Sequence, residues 1–217
     1  MRLFVYVVAS DTGFAPNPFF GRCTLATCKP RIRGAAGEGD WIAGVGSVPR
    51  GQEGKLVYAI RVAETMHFDE YWADPRFAAK RPNPHGGRRQ RCGDNIYRRD
   101  PETGAWIQER GGHSNDDGTP HCGHVRRDTR EPRVLVGDHF AYFGADAVDV
   151  PSRFRPWQER DYFSRIRGHR SKLPEDLRDS FVEWLEELTV ETGGLAGEPL
   201  GWSDGRPGRA CGASACG

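Results

Sequence analysis

Lysine is scarce in this chain of 217 residues. Of 31 basic residues, only Lys29, Lys55, Lys80 and Lys172 carry an ammonium. Positive charge is therefore almost wholly guanidinium, which suits planar contacts to phosphate or carboxylate, although a biased genome composition gives the same pattern. Net charge is scarce too: a balance of +1 exerts no long-range pull on nucleic acid, so any phosphate binding must be local. Long hydrophobic runs are missing. Met1–Ser10 is too short for the apolar region of a signal peptide and reads as a buried first strand, and nothing later reaches the length of a membrane span. The phosphate-binding and dinucleotide fingerprints are also missing. Gly44 and Gly46 lack a third glycine and a following helix, and Gly54-Lys55 lacks the upstream glycine, which argues against an ordinary NAD or ATP enzyme. There is no Cys-x-x-Cys. The six cysteines read as reduced thiols of a cytoplasmic protein rather than as a disulfide framework.

What the chain does have is 28 glycines and 15 prolines, with 37% apolar residues, which predicts a loop-rich core of strands and excludes a helical bundle. Leu3–Ala9 reads as a central strand that breaks at Ser10–Gly13, leaving Asp11 and Asn17, between Pro16 and Pro18, on a stiff loop at the sheet's end. Thr24–Ala26 opens a helix that Pro30 should cut short. Alternation along Trp41–Val45 and Leu56–Ile60 predicts a hairpin, with Gly44 and Gly46 marking a bulge or a close backbone approach. Asp69 and Asp74-Pro75 start short turns of helix, and Asn95–Tyr97 with Trp106–Gln108 predict a second hairpin. Residues 109–132 form a long polar loop, and VLVGDHFAYFG returns to strand character. Trp157–Ile166 predicts a short helix, and Pro174 starts a longer one with Leu177, Phe181, Trp184, Leu185 and Leu188 on one face. The expected organisation is one α+β domain over 1–191 and a Gly-rich flexible tail over 192–217. Its core is a strand-rich mixed sheet or a partly open barrel, with short peripheral helices and a C-terminal amphipathic helix.

Four groups of residues could carry chemistry. Lys29, Arg31 and Arg33 form either an anion site or a solvated basic turn, and the arginines from Arg81 to Arg99 form a loop able to follow a phosphate backbone. His121, Cys122 and His124, with Cys92 or His113, offer zinc donors without the paired spacing of a zinc finger, so no metal is expected. Cys23 or Cys28, beside these cations, is either a thiolate nucleophile or a small core residue. Asp11, Asp94, Gln108, His113 and Asp128 include proton-transfer groups, with His113 preferred as general acid and base. Trp41, Tyr97, Tyr142 and Phe143 could stack on a base.

Taken in order, GFAPNPFFGRCTLATCKPRIR, GDWIAGVGS with KLVYAIRV, YWADPRF, GDNIY with Trp106 and Gln108, His113-Ser114 and VLVGDHFAYFG resemble the nucleotide modification associated domain 2 family, over Met1 to Pro151. That family occurs in bacteria and their phages and is linked by genomic association to base modification in DNA. The resemblance implies a protein that binds a nucleotide or nucleobase and catalyses a step of base modification. It implies DNA rather than RNA as the polymer, no membrane, and base-modification or restriction proteins as partners. The cofactor is left open. The matching positions are Asp11, Asn17, Thr24, Lys29, Arg33, Asp40, Asp94, Asn95, Tyr97, Gln108 and His113; with Arg31 and Trp41 added from the residues themselves, Asp11, Asp94, Asn95 and His113 are expected nearest the chemistry, and Asn17, Thr24, Lys29, Arg31, Arg33, Trp41, Tyr97 and Gln108 around the substrate. A fainter likeness to small barrels of the PUA and EVE type implies a non-catalytic reader of modified bases. A zinc-stabilised interaction module is the third alternative.

Overall fold

In the computed structural model, which describes residues 1–203, the core is built from two sheets. The larger runs in the order β1 (Leu3–Val8), β3 (Trp41–Gly46), β4 (Lys55–Arg61), β9 (His139–Tyr142) and β11 (Gly194–Leu195), with β10 (Val148–Asp149) also pairing with β4. It is mixed: β1 with β3 and β9 with β11 are parallel, whereas β3–β4 and β4–β9 are antiparallel. The smaller sheet is antiparallel, in the order β2 (Cys23–Leu25), β8 (Arg133–Gly137) and β5 (Glu64–His67). β6 (Tyr97–Arg99) and β7 (Trp106–Gln108) form a separate hairpin.

Side-chain alternation decides the layers. On β1, Leu3 and Val5 join Trp41, Ala43 and Leu56 against Leu177, Phe181 and Leu185 of α5 (Glu175–Thr192). Phe4, Tyr6 and Val8 point the other way and pack with Ile42 and Tyr58 against Leu25 and Leu135 of the smaller sheet. Beyond that sheet, Ala26, Val134 and Val136 meet Phe68 and Tyr71 of α2 (Phe68–Ala73), Phe77, Ile96 and Tyr97. The order is thus helix, sheet, sheet, then helix and hairpin. This is the expected α+β architecture with a mixed sheet. Among the described residues, no strand closes either sheet into a barrel.

Several expectations are corrected. β1 is an edge strand rather than a central one, and its outer side is covered where Val5 and Arg170 exchange backbone hydrogen bonds of 2.8 Å each. Pro30 opens α1 (Pro30–Ala35) instead of ending a helix, because its fixed φ and missing N–H suit a first turn, and the upstream residues form β2. VLVGDHFAYFG divides into β8 and β9, which belong to different sheets. Trp157–Ile166 is irregular, with left-handed backbone at Gln158, Glu159 and Arg165, and Asp161 organises it by accepting from Arg155, Phe163 N–H and Ser164. Residues 194–203 are bonded to the core. Gly194–Leu195 pairs with β9, and α6 (Leu200–Ser203) is held by Leu200 N–H on the Asp11 carboxylate and the Trp202 indole N–H on the Thr12 carbonyl, each at 3.0 Å. The Cys211 and Cys216 pair lies outside the described residues, as does the rest of the expected tail. No helix among the described residues is long and apolar enough to cross a membrane.

The β3–β4 hairpin has its irregularity between Gly44 and Val45. A Cβ on Gly44 would stand 2.2 Å from Cε1 of Tyr58 and 2.7 Å from Val8. Gly44→Ala should therefore force Tyr58 off its 2.8 Å hydroxyl contact with Tyr6 and cost about 1–3 kcal/mol, read as a lower urea midpoint with unchanged slope.

Candidate active site

β2 leads directly into a strained turn. Cys28 (φ 57°) and Lys29 (φ 42°) both occupy the left-handed region, which costs roughly 1–2 kcal/mol per non-glycine residue. Two side chains hold the turn in place. Arg33 is fully buried: its Nε donates to the Cys28 carbonyl at 2.8 Å, and its guanidinium nitrogens donate to the carbonyls of Asp128 (2.9 Å), Arg133 (2.6 Å) and Glu131. Asp128, at the end of α4 (Cys122–Asp128), accepts the Cys28 N–H at 3.2 Å.

The long polar loop delivers His113 to the same place. Its Nε2 lies 3.3 Å from the Cys28 sulfur and its Nδ1 lies 2.7 Å from Oδ2 of Asp128. An ionised carboxylate only accepts, so the proton sits on Nδ1 and Nε2 faces the thiol. The ring is seated by Phe14, whose centroid is 4.8 Å away, and by Gln108, which donates to the His113 carbonyl at 3.2 Å and to the Tyr97 hydroxyl at 2.9 Å. Tyr97 in turn donates to Asp128 at 3.1 Å, as does Nε of Arg127. Burial opposes the charge on His113, but the bonds to Asp128 and Cys28 outweigh it and hold the imidazolium up to about 9. Burial likewise opposes the Asp128 carboxylate, and His113 and Arg127 overcome it and pull its pKa down to about 2. A thiol, an imidazole and a carboxylate therefore stand in line, the arrangement in which a base activates a nucleophile and an acid residue orients the base.

The donor set also bears on metal. His113, His124 and Asp128 bring ligand atoms within 4.8 Å of one another. Arg127 occupies the space among them, its Nη2 at 2.8 Å from Nδ1 of His124 and 3.4 Å from both ring nitrogens of His113. These groups converge on a guanidinium, and a dication there would sit against a fixed positive charge. Cys92 does not join them; its thiol donates to the Thr12 carbonyl at 3.2 Å. Cys23, Cys28 and Cys92 are free thiols.

The other expected site residues lie elsewhere. Asp94 is buried, accepting from Thr24 at 2.6 Å and Tyr71 at 2.8 Å. Asn17 is gripped by Lys80, whose Nζ donates to its side-chain oxygen at 2.7 Å; burial lowers the Lys80 pKa to about 8. Asn95 is buried and bonds the carbonyls of Tyr71 and Phe77. Asp11 accepts from the Tyr142 hydroxyl, and burial raises its pKa. Trp41 is core, Arg31 is exposed, and Arg33 is spent on backbone carbonyls. Of the named set, His113, Tyr97, Gln108 and Lys29 gather around the thiol. Cys28 and Asp128 were candidates for a nucleophile and for proton transfer; no motif pointed to Arg127, Lys80 or Tyr71.

Fold and site together define an α+β protein in which a half-buried thiol meets a buried imidazole and carboxylate. The chain belongs to the nucleotide modification associated domain 2 family, whose model matches residues 1–206, well past the expected limit at Pro151. No curated protein and no solved structure matches it.

Two outcomes follow from this geometry. Arg33→Met leaves buried carbonyls unpaired and should lower stability by about 3 kcal/mol or more in urea denaturation, which an anion-binding role would not require. Because the folded pKa of His113 is raised from 6.5 to about 9, its stabilisation is complete below pH 6.5 and is lost as pH rises through about 9. The melting temperature should fall across that window, and less so in His113→Asn.

Proposed function

We propose that this protein binds a nucleotide or nucleobase beside Cys28 and catalyses a step of base modification with Cys28 as the nucleophile. The observation that carries this reading is the Cys28–His113–Asp128 line, with contacts of 3.3 and 2.7 Å. In it, Asp128 keeps His113 protonated on both ring nitrogens, and the Cys28 sulfur bonds to an electrophilic carbon of the substrate as the π bond or leaving-group bond at that carbon breaks. The atom that takes up the displaced electron pair receives the proton from Nε2. Membership of a family named for nucleotide modification supports a nucleotide substrate. DNA is the preferred polymer and cytoplasmic base-modification or restriction proteins the preferred partners. Asp94 and Asn95 give up the catalytic role, since both are buried in bonds to the scaffold. A non-catalytic reader stacking a base on Trp41 and Tyr97 lacks support, because these rings are 0% and 1% exposed.

The test is alkylation by iodoacetamide at pH 7, mapped by peptide mass. Cys28 should react at least about tenfold faster than Cys92, and His113→Asn should remove most of that advantage. Equal rates at the two thiols, or stoichiometric zinc in the purified protein, would overturn the reading. Incubation with plain and modified nucleotides or DNA should then give a covalent mass on wild-type protein and none on Cys28→Ser.

A further inference from the structure

We propose that Lys29 receives an anionic group of the substrate, a phosphate or a carboxylate carried near the carbon that Cys28 attacks; this rests on the cysteine reading above. Lys29 follows the nucleophile directly and shares its left-handed turn. It is partly buried, with Nζ 4.4 Å over the ring of Tyr6. A desolvated ammonium ordinarily finds a carboxylate or carbonyl. Among the described residues this one has neither a hydrogen bond nor an ion pair, and the aromatic face is its one partner.

Asp128, the carboxylate of the centre, does not supply the missing anion. Asp128 is taken up by His113, Tyr97, Arg127 and the Cys28 N–H. Burial lowers the Lys29 pKa; the nearby charge of Arg127 adds to this, while that of Cys28 opposes it. Lys29 is thus close enough to feel both. Lys29, Arg127 and the His113 imidazolium stand against the single carboxylate of Asp128, which leaves an excess of positive charge. Arg31 adds to it: its charge and that of Lys29 both reach His169, whose pKa is held below its ordinary value by burial first and by these two cations next. Of the three cations expected to bind phosphate, Arg33 is committed to carbonyls and Arg31 is exposed, so Lys29 alone combines proximity to sulfur with a missing counter-charge.

The experiment compares alkylation of Cys28 by iodoacetate, an anion, with that by neutral iodoacetamide, in wild type, Lys29→Met and Lys29→Arg. Lys29→Met should lower the ratio of the iodoacetate rate to the iodoacetamide rate about fivefold or more, and Lys29→Arg should restore the ratio. A circular dichroism spectrum matching wild type shows that the variant is folded. Inorganic phosphate and acetate are then tried as protectants in wild type: protection by phosphate alone assigns a phosphate, and by acetate alone a carboxylate. A reagent ratio unaltered in Lys29→Met, or no protection by either anion, overturns the proposal. If Cys28 outpaces Cys92 with neither reagent, the cysteine centre itself falls, and this proposal with it.

Discussion

A single carboxylate, fully enclosed, organises the centre of this protein. Taking the charge of Asp128 out of water is costly unless every lone pair is met, and here His113, Tyr97, Arg127 and a backbone N–H meet them. Those donors come from β6, the long polar loop, α4 and the turn after β2, so ionising one side chain draws four separate stretches of chain together. The carbonyl of the same residue accepts from Arg33, which fixes the turn from its other side. The position of Cys28 is therefore a consequence of how residue 128 is solvated by protein.

A second buried polar network supports the first without sharing its chemistry. Asp94, Thr24, Tyr71, Lys80 and Asn17 fasten the proline loop to the smaller sheet. That loop carries Phe14, the ring against which His113 packs. Interior polar networks rigidify when fully satisfied, and this one turns the loop into a wall for the imidazole. The carboxylate of Asp94 has a structural use for the same reason that it looked catalytic: it is an acid next to hydroxyl groups, seen without depth.

Local patterns were legible in the sequence wherever one element decides them. The β3–β4 and β6–β7 hairpins, the Gly44 irregularity and α5 all follow from spacing and turn chemistry. His113 was also found, although as an exposed loop residue; glycines around it do allow a flexible backbone, yet Phe14 and Gln108 cover the ring. What spacing could not show was which distant groups meet. Residues 28, 113 and 128 are joined by tertiary contacts alone, and Arg33, read as a surface cation beside Lys29 and Arg31, faces inward because four carbonyls await it there. The proposed helix over Trp157–Ile166 failed for a similar reason: Asp161 offers the backbone and neighbouring side chains a competing set of bonds.

The crossover between the parallel strands β1 and β3 carries β2 and the Cys28 turn, and β2 finds its partner only at β8. A chain emerging from the ribosome therefore exposes residue 28 when the imidazole and the carboxylate have not yet been synthesised. Until residue 137 is out and the second sheet has closed, that sulfur has neither partner beside it, so the three-residue line exists only in the completed fold.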